Sequence, residues 1–196
     1  MTTPLLHPTP KLIVISAPSG AGKTTLCQKL LEKLPGLIPS ISTTTRAPRG
    51  KELHGREYYF TSQASFKDEI EAGTFAEWAM VHGNYYGTSR KTLDHHLGQG
   101  QSVLLDIDVQ GASQLRRSYP TRTYTIFVSP PSIEELERRL RSRGTDREEV
   151  ILRRLQAAKV EMAARSSFDY SLVNDEMERA LTELYDVVRK AVGFTE

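Results

Sequence analysis

The sequence predicts an α/β fold in which a mostly parallel sheet, flanked by helices, carries a sheet-rich insertion and an arginine-rich helical segment. Three observations lead there. The run "KLIVIS" at 11–16 is apolar and β-branched without alternation, as expected of a strand buried on both faces, and a glycine-rich turn and a helix-periodic stretch follow it. "SVLLDID" at 102–108 and "TYTIFVS" at 123–129 are of the same type, and "VQGASQLRRSY" between them is long enough for a crossover helix. Residues 41–89 break the alternation with aromatic-rich "REYYF", "FAEWAMV" and "YYGTS" around a short helical segment and an "HGN" turn.

With 196 residues, the chain has room for one well-buried core with mobile appendages. "MTTPLLHPTPK", with three prolines, predicts a flexible lead-in over 1–10. Leu26, Leu30, Leu31 and Leu34 repeat at helical spacing until "PG" at 35–36. "SIEE" at 132–135 and "TDRE" at 145–148 fit the Ser/Thr-x-x-Glu capping box, which puts helix starts near 133 and 146. "SLV" at 171–173 is a last short strand before a helix from about 176. A formal net charge of +2 argues against nucleic-acid binding driven by bulk charge. The N-terminus has no apolar core long enough for a signal peptide and no later stretch approaches the ~20 apolar residues that span a bilayer, so no membrane partner and a cytoplasmic location are expected. The single cysteine, Cys27, is expected in the core.

The turn "APSGAGKTT" at 17–25 nearly spells G-x-x-x-x-G-K-[ST], with alanine at its first position. Gly20 and Gly22 permit positive φ, so successive N–H groups can converge on phosphate oxygens at a helix N-terminus. Lys23 would reach β and γ phosphates, and the Thr24 hydroxyl would coordinate Mg²⁺. At a negative φ the Ala17 methyl costs little, and the cradle survives.

"STTTRAPRGKE" at 42–52 sets Arg46 and Arg49 on a loop, where two guanidinium forks suit a phosphate monoester, although a solvated basic loop has the same composition. Tyr58, Tyr85 and Tyr86 add phenolic donors and ring faces. Glu77 lies within apolar "FAEWAMV"; strand alternation could turn it to solvent, or it could be a base acceptor. An ionised carboxylate matches the N1 and N2 donors of guanine and mismatches adenine. Ser42 and Thr88 could donate to O6. Seven arginines between 138 and 154 read first as a solvated helix face paired with glutamates; charge density alone names no catalyst, although phosphoryl transfer needs cations around the transferring group.

"SAPSGAGKTT", "STTTRAPRGKE", "HGREYYF", "FAEWA", "GNYYGTS", "LLDIDVQGA", "PPSIEELERRLRSRGTD" and "LVND" occur in the order found in guanylate kinases, which the chain resembles from 11 to 190. The resemblance implies a P-loop NTPase-type core at 11–40 and 90–196, a mixed α/β GMP-binding insertion at 41–89 and a helical lid at 134–156. It implies ATP-dependent conversion of GMP, and of dGMP, to GDP or dGDP in purine metabolism and GMP recycling, with Mg²⁺, by a monomer or homodimer. ATP would be held by Ala17, Pro18, Ser19, Gly20, Ala21, Gly22, Lys23, Thr24 and Thr25, with Arg139 on its phosphates and Asn174 and Asp175 bordering the adenine. Guanine would meet Ser42, Glu77 and Thr88. The GMP phosphate would meet Arg46, Arg49, Tyr58 and Tyr86, with Glu52 in the same group. Lys23, Arg49, Arg143 and Arg154 would be the catalytic cations. Asp106 and Asp108 match positions near GMP and the metal's water shell, with their roles undivided and a helix-capping role for Asp108 compatible with either. The family usually opens its loop Ser-Gly-Pro-Ser-Gly, where this chain has "SAPSG". Related modules in scaffold proteins generally lack a working cradle, so Lys23 argues for an enzyme.

Overall fold

A computed structural model describes residues 9–193 apart from His82, Arg143 and Thr145. The elements are β1 (Leu12–Ser16), α1 (Lys23–Lys33), β2 (Leu37–Pro39), β3 (Thr43–Thr44), β4 (Tyr59–Phe60), α2 (Gln63–Glu71), β5 (Phe75–Val81), β6 (Asn84–Ser89) and α3 (Arg90–Gly98). They continue as β7 (Ser102–Asp106), α4 (Val109–Ser118), β8 (Thr123–Ser129), α5 (Ile133–Ser142), α6 (Glu148–Ala163), β9 (Tyr170–Val173) and α7 (Met177–Val192). One sheet is all parallel in the order β2-β7-β1-β8-β9, which puts β1 at its centre. All five β1 residues are buried, because the strand faces helices on both sides. Ile13 and Ile15 join a core with Leu26 and Leu30 of α1 and Leu181 and Leu184 of α7. Leu12 and Val14 join a second core with Leu93 of α3 and Leu115 of α4. Leu136 and Leu140 of α5 pack on Ile151 and Leu155 of α6 in a small core of their own. Cys27 is 5% exposed, as composition predicted.

The aromatic-rich segment forms a second, mixed sheet in the order β4-β3-β6-β5, with Phe66 of α2 stacked on Phe75 and Tyr85 at centroid distances of 4.4 and 5.3 Å. The Ser62 hydroxyl starts α2 by accepting the Ser65 N–H at 3.0 Å. Ser132 does the same for α5 through Glu135 N–H at 3.1 Å, as the first capping box predicts.

The second box does not set a helix start at 146. Helix α6 begins at Glu148 behind an Arg147 N-cap that makes no side-chain bond, and the Asp146 carboxylate lies 3.0 Å from Arg154. The box's Thr145 lies outside the described residues, as does the lead-in over residues 1–8. Among the described residues no helix is long and apolar enough to cross a membrane.

Candidate active site

Between β1 and α1 the chain turns over residues 17–22 with Gly20 at φ 101° and Gly22 at φ 91°, conformations that strain any residue with a Cβ. Space forbids the side chain as well. A Cβ on Gly20 would stand 3.0 Å from both Leu136 and Leu140, and one on Gly22 would collide with the Asn174 amide. Gly22 is the N-cap of α1 and offers no side-chain hydrogen bond, so the first N–H groups of the helix are left to whatever enters in front of them. Ala17 packs its methyl against the core cluster around β1, which gives the departure from glycine a use.

In register, Ile15 of β1 lies opposite Asp106 of β7, so the carboxylate ending β7 stands beside the turn that leaves β1. Lys23 Nζ sits 2.6 Å from Asp106 and donates to the Ile107 carbonyl at 3.1 Å. Burial acts to lower the lysine's pKa, but Asp106 outweighs it and holds the group above its ordinary value. Asp108 accepts the Gly111 N–H at 2.8 Å and is the N-cap of α4. Asp106 thus pairs with the lysine, and Asp108 caps the start of α4, the capping role the sequence allowed for it.

The turn forms one wall of a cavity of about 350 Å³. Ala17, Pro18, Ser19, Gly20, Gly22, Lys23, Thr24 and Thr25 line it on one side, Ser42, Tyr58, Glu77 and Tyr86 on the other, with Asp106 and Asp108 at its floor. Along β5, Glu77, Ala79 and Val81 face the cavity, whereas Trp78 and Met80 point away and are exposed. A register shift between Phe75 and Glu77 lets Phe75, Ala76 and Glu77 all be buried in succession. Strand alternation thus turns the carboxylate inward, the opposite of its bland reading.

Glu77 is 3% exposed and accepts the Thr88 hydroxyl at 2.5 Å, with the Ser42 hydroxyl 3.5 Å from that of Thr88. Burial pushes the carboxyl up to about 7; the Thr88 bond opposes the rise and the charge of Asp108 adds to it. On the far side stands Gly111, where a Cβ would lie 2.5 Å from a Glu77 oxygen. Gly111→Ala should lower the melting temperature, because forcing a Cβ to 2.5 Å from the buried Glu77 carboxylate outweighs the ~1 kcal/mol that alanine gains in a helix. It should also displace the carboxylate and weaken a ligand bound there by roughly tenfold or more, the scale of a hydrogen bond to a charged group. Thermal melts and a KM series on one preparation check both halves.

The other expected residues are near but differently engaged. Arg46, 9% exposed, lies 5.3 Å from the Tyr58 ring centre and bonds Glu52 at 2.9 Å, while the second Glu52 oxygen accepts the Arg49 N–H at 2.7 Å. Glu52 thus fastens the loop bearing both arginines, and the Arg49 side chain stays exposed. Ala21 is buried beneath the turn, where its carbonyl accepts the Asn174 amide at 2.7 Å. Arg139 bridges Glu135 and the Asn174 carbonyl, at 2.8 and 2.9 Å. Asn174 is 2% exposed, and Asp175 pairs with Arg179 at the surface. Arg154 is held by Asp146, and Arg143 lies outside the described residues. Glu161 of α6 also lines the cavity; burial pushes it up to about 7 against the pull of Lys23. One carboxylate among many on a charged helix gave the sequence reading no signal for it.

Residues 9–191 match the family model described as guanylate kinase. The chain belongs to the guanylate kinase family. It is 51% identical to the guanylate kinase of Geobacter metallireducens over 90% of this chain and 87% of that one. To the guanylate kinase of Thermosynechococcus vestitus it is 51% identical over 89% of this chain and 91% of that one. The crystal structure of guanylate kinase from Anaplasma phagocytophilum superposes with a TM-score of 0.78 at 33% identity, over 95% of this chain and 88% of that one. A gluconokinase from Sinorhizobium meliloti shares the fold, at a TM-score of 0.52 and 15% identity. As a guanylate kinase the chain is a nucleoside monophosphate kinase: it phosphorylates GMP to GDP with ATP.

Proposed function

We propose that the cavity between the two sheets is where the transfer takes place, with ATP phosphates on the 17–25 turn and GMP on the β3–β6 side. The observation that carries this reading is the buried Glu77 facing the same cavity as Lys23. Ser42, Thr88 and Glu77 read guanine; Thr88 gives its proton to Glu77, which leaves the Ser42 hydroxyl as the donor for O6. Arg46, Arg49, Tyr58 and Tyr86 hold the GMP phosphate, and Glu52 keeps the first two in place. The same pocket accepts dGMP. Asn174 and Arg139 support the turn from behind.

The Thr24 hydroxyl and the Asp106 and Asp108 carboxylates are hard oxygen donors on the cavity wall, a set that suits Mg²⁺ carried mostly by phosphate and water. When bound, the ion supplies charge neutralisation on the β and γ phosphates. A GMP phosphate oxygen attacks the γ-phosphorus in line, with ADP leaving, and no covalent enzyme intermediate forms. Lys23, Arg143 and Arg154 then need only be positioned, since stabilising charge on the transferring group is most of the catalysis. The lid at 134–156 closes to exclude water, which would otherwise accept the phosphoryl group.

Arg154→Ala should lower kcat by roughly 10²-fold or more and leave the KM for GMP within about threefold, as expected of a contact made chiefly in the transition state. A rise in KM at constant kcat would move Arg154 to ground-state binding. The site reading as a whole is tested by a coupled assay with ATP and Mg²⁺ against GMP, dGMP, IMP and AMP. Turnover should fall from GMP to IMP to AMP, and a protein indifferent to the base would refute it.

A further inference from the structure

Strand β5 is the open edge of the second sheet, so alternate main-chain groups on its outer side have no strand to pair with. At Trp78 both groups are taken by one side chain of the core. Gln114 Oε1 accepts the Trp78 N–H at 3.1 Å, and Gln114 Nε2 donates to the Trp78 carbonyl at 2.7 Å. A primary amide presents one donor and one acceptor in a plane, as a peptide group does, and here it stands in for the missing strand. Gln114 lies one turn beyond Gly111 on α4, so the two occupy one helix face. That face touches β5 twice: Gly111 leaves room for the Glu77 carboxylate, and Gln114 grips the next residue's main chain. The pairing of β5 with β6 slips between Phe75 and Glu77 and resumes with Glu77 opposite Thr88, so the grip at Trp78 holds the first regular stretch of strand after the irregularity.

We propose that Gln114 is a positioning residue for guanine selection, its amide fixing the main chain beside Glu77 so that the carboxylate meets the base in one orientation. This rests on the reading of Glu77 as the guanine acceptor. Gln114→Met keeps the volume and loses both bonds; Gln114→Asn keeps an amide one methylene too short to reach.

In the full-length protein, either variant should raise the KM for GMP roughly tenfold, the scale of two lost hydrogen bonds, and lower the GMP-to-IMP preference. The KM for ATP and kcat should stay within about twofold, since no phosphate contact is touched. Hydrogen exchange at the Trp78 amide, slow in the parent protein, should quicken. With Glu77→Gln and the double variants, the effects on base preference should be less than additive.

A loss of kcat tracking a fall in melting temperature, with KM unchanged, would make Gln114 structural only and overturn the proposal. So would base preference that moves with Glu77→Gln and not with either Gln114 variant, which leaves the guanine reading standing. If Glu77→Gln itself leaves the preference unmoved, the guanine reading fails and takes the proposal with it. Fast exchange at Trp78 in the parent protein overturns the grip whether or not the variants fold.

Discussion

Lys23→Ala is expected to lower kcat by roughly 10³-fold or more, because a preorganised cation at developing phosphoryl charge is among the largest single contributions an active site makes. The amine's partners are polar, the Asp106 carboxylate at 2.6 Å and the Ile107 carbonyl. Asp106 is 36% exposed, so water can replace the lysine and the fold should survive. On the proposed site, ATP would meet a lysine already engaged by a carboxylate. Asp106→Asn should therefore leave Lys23 free for phosphate, whereas Lys23→Ala removes the cation itself. Single-turnover rates, with melting curves as the control for folding, check the result, and near-parent turnover by a folded Lys23→Ala protein would remove the lysine from the site.

Glu77→Gln is expected to collapse base choice. Guanine offers N1–H and an N2 amino group to the carboxylate, whereas adenine brings an acceptor at N1 and nothing at C2. Sites built to bond a substrate group can reject an analogue lacking it by ~10⁴. The glutamine presents one acceptor and turns a donor toward donors, so the ratio of kcat/KM for GMP over AMP should fall by about 10²-fold or more.

The same carboxyl gives a pH signature. Its folded-state pKa is raised to about 7. Binding needs the ionised form, so kcat/KM for GMP should fall as pH drops through 7, up to tenfold per unit. For stability the sign runs the other way. A raised carboxyl favours the fold fully below its unfolded value and loses that contribution as pH climbs through 7. GMP has its own phosphate titration near 6, and Glu161 titrates in the same range, but both remain in Glu77→Gln. The difference between the two pH profiles isolates Glu77, and identical profiles would refute its role.

What the sequence made legible was local. β1, the turn and α1 follow from apolar run, glycine spacing and leucine period within 24 residues, and Glu77 stood out because a charge inside "FAEWAMV" needs a reason. What it left dark depends on distance or brevity. β2 is three residues at a sheet edge, and α3 buries only Leu93, so neither prints a period. The bond from Gln114 to Trp78 joins residues 36 apart, and that from Asn174 to Ala21 joins residues 153 apart. The resemblance associated Asn174 with adenine; its burial and its bond to Ala21 give it structural work beneath the turn. The box at 145–148 put a helix start near 146, and the structure starts α6 at Glu148, because a four-residue pattern does not report which residue becomes the N-cap.

The bond between Asn174 and Ala21 also orders events during synthesis. Ala21 of the turn is made 153 residues before Asn174, the amide that steadies it, whose N–H also pairs the Ser129 carbonyl at 2.8 Å. Chains emerge at ~5–20 residues per second, so for roughly ten seconds or more the nascent protein carries its most chemically specific loop without its support. A nucleotide held on the turn should therefore stabilise the complete chain more than a fragment that ends before β9.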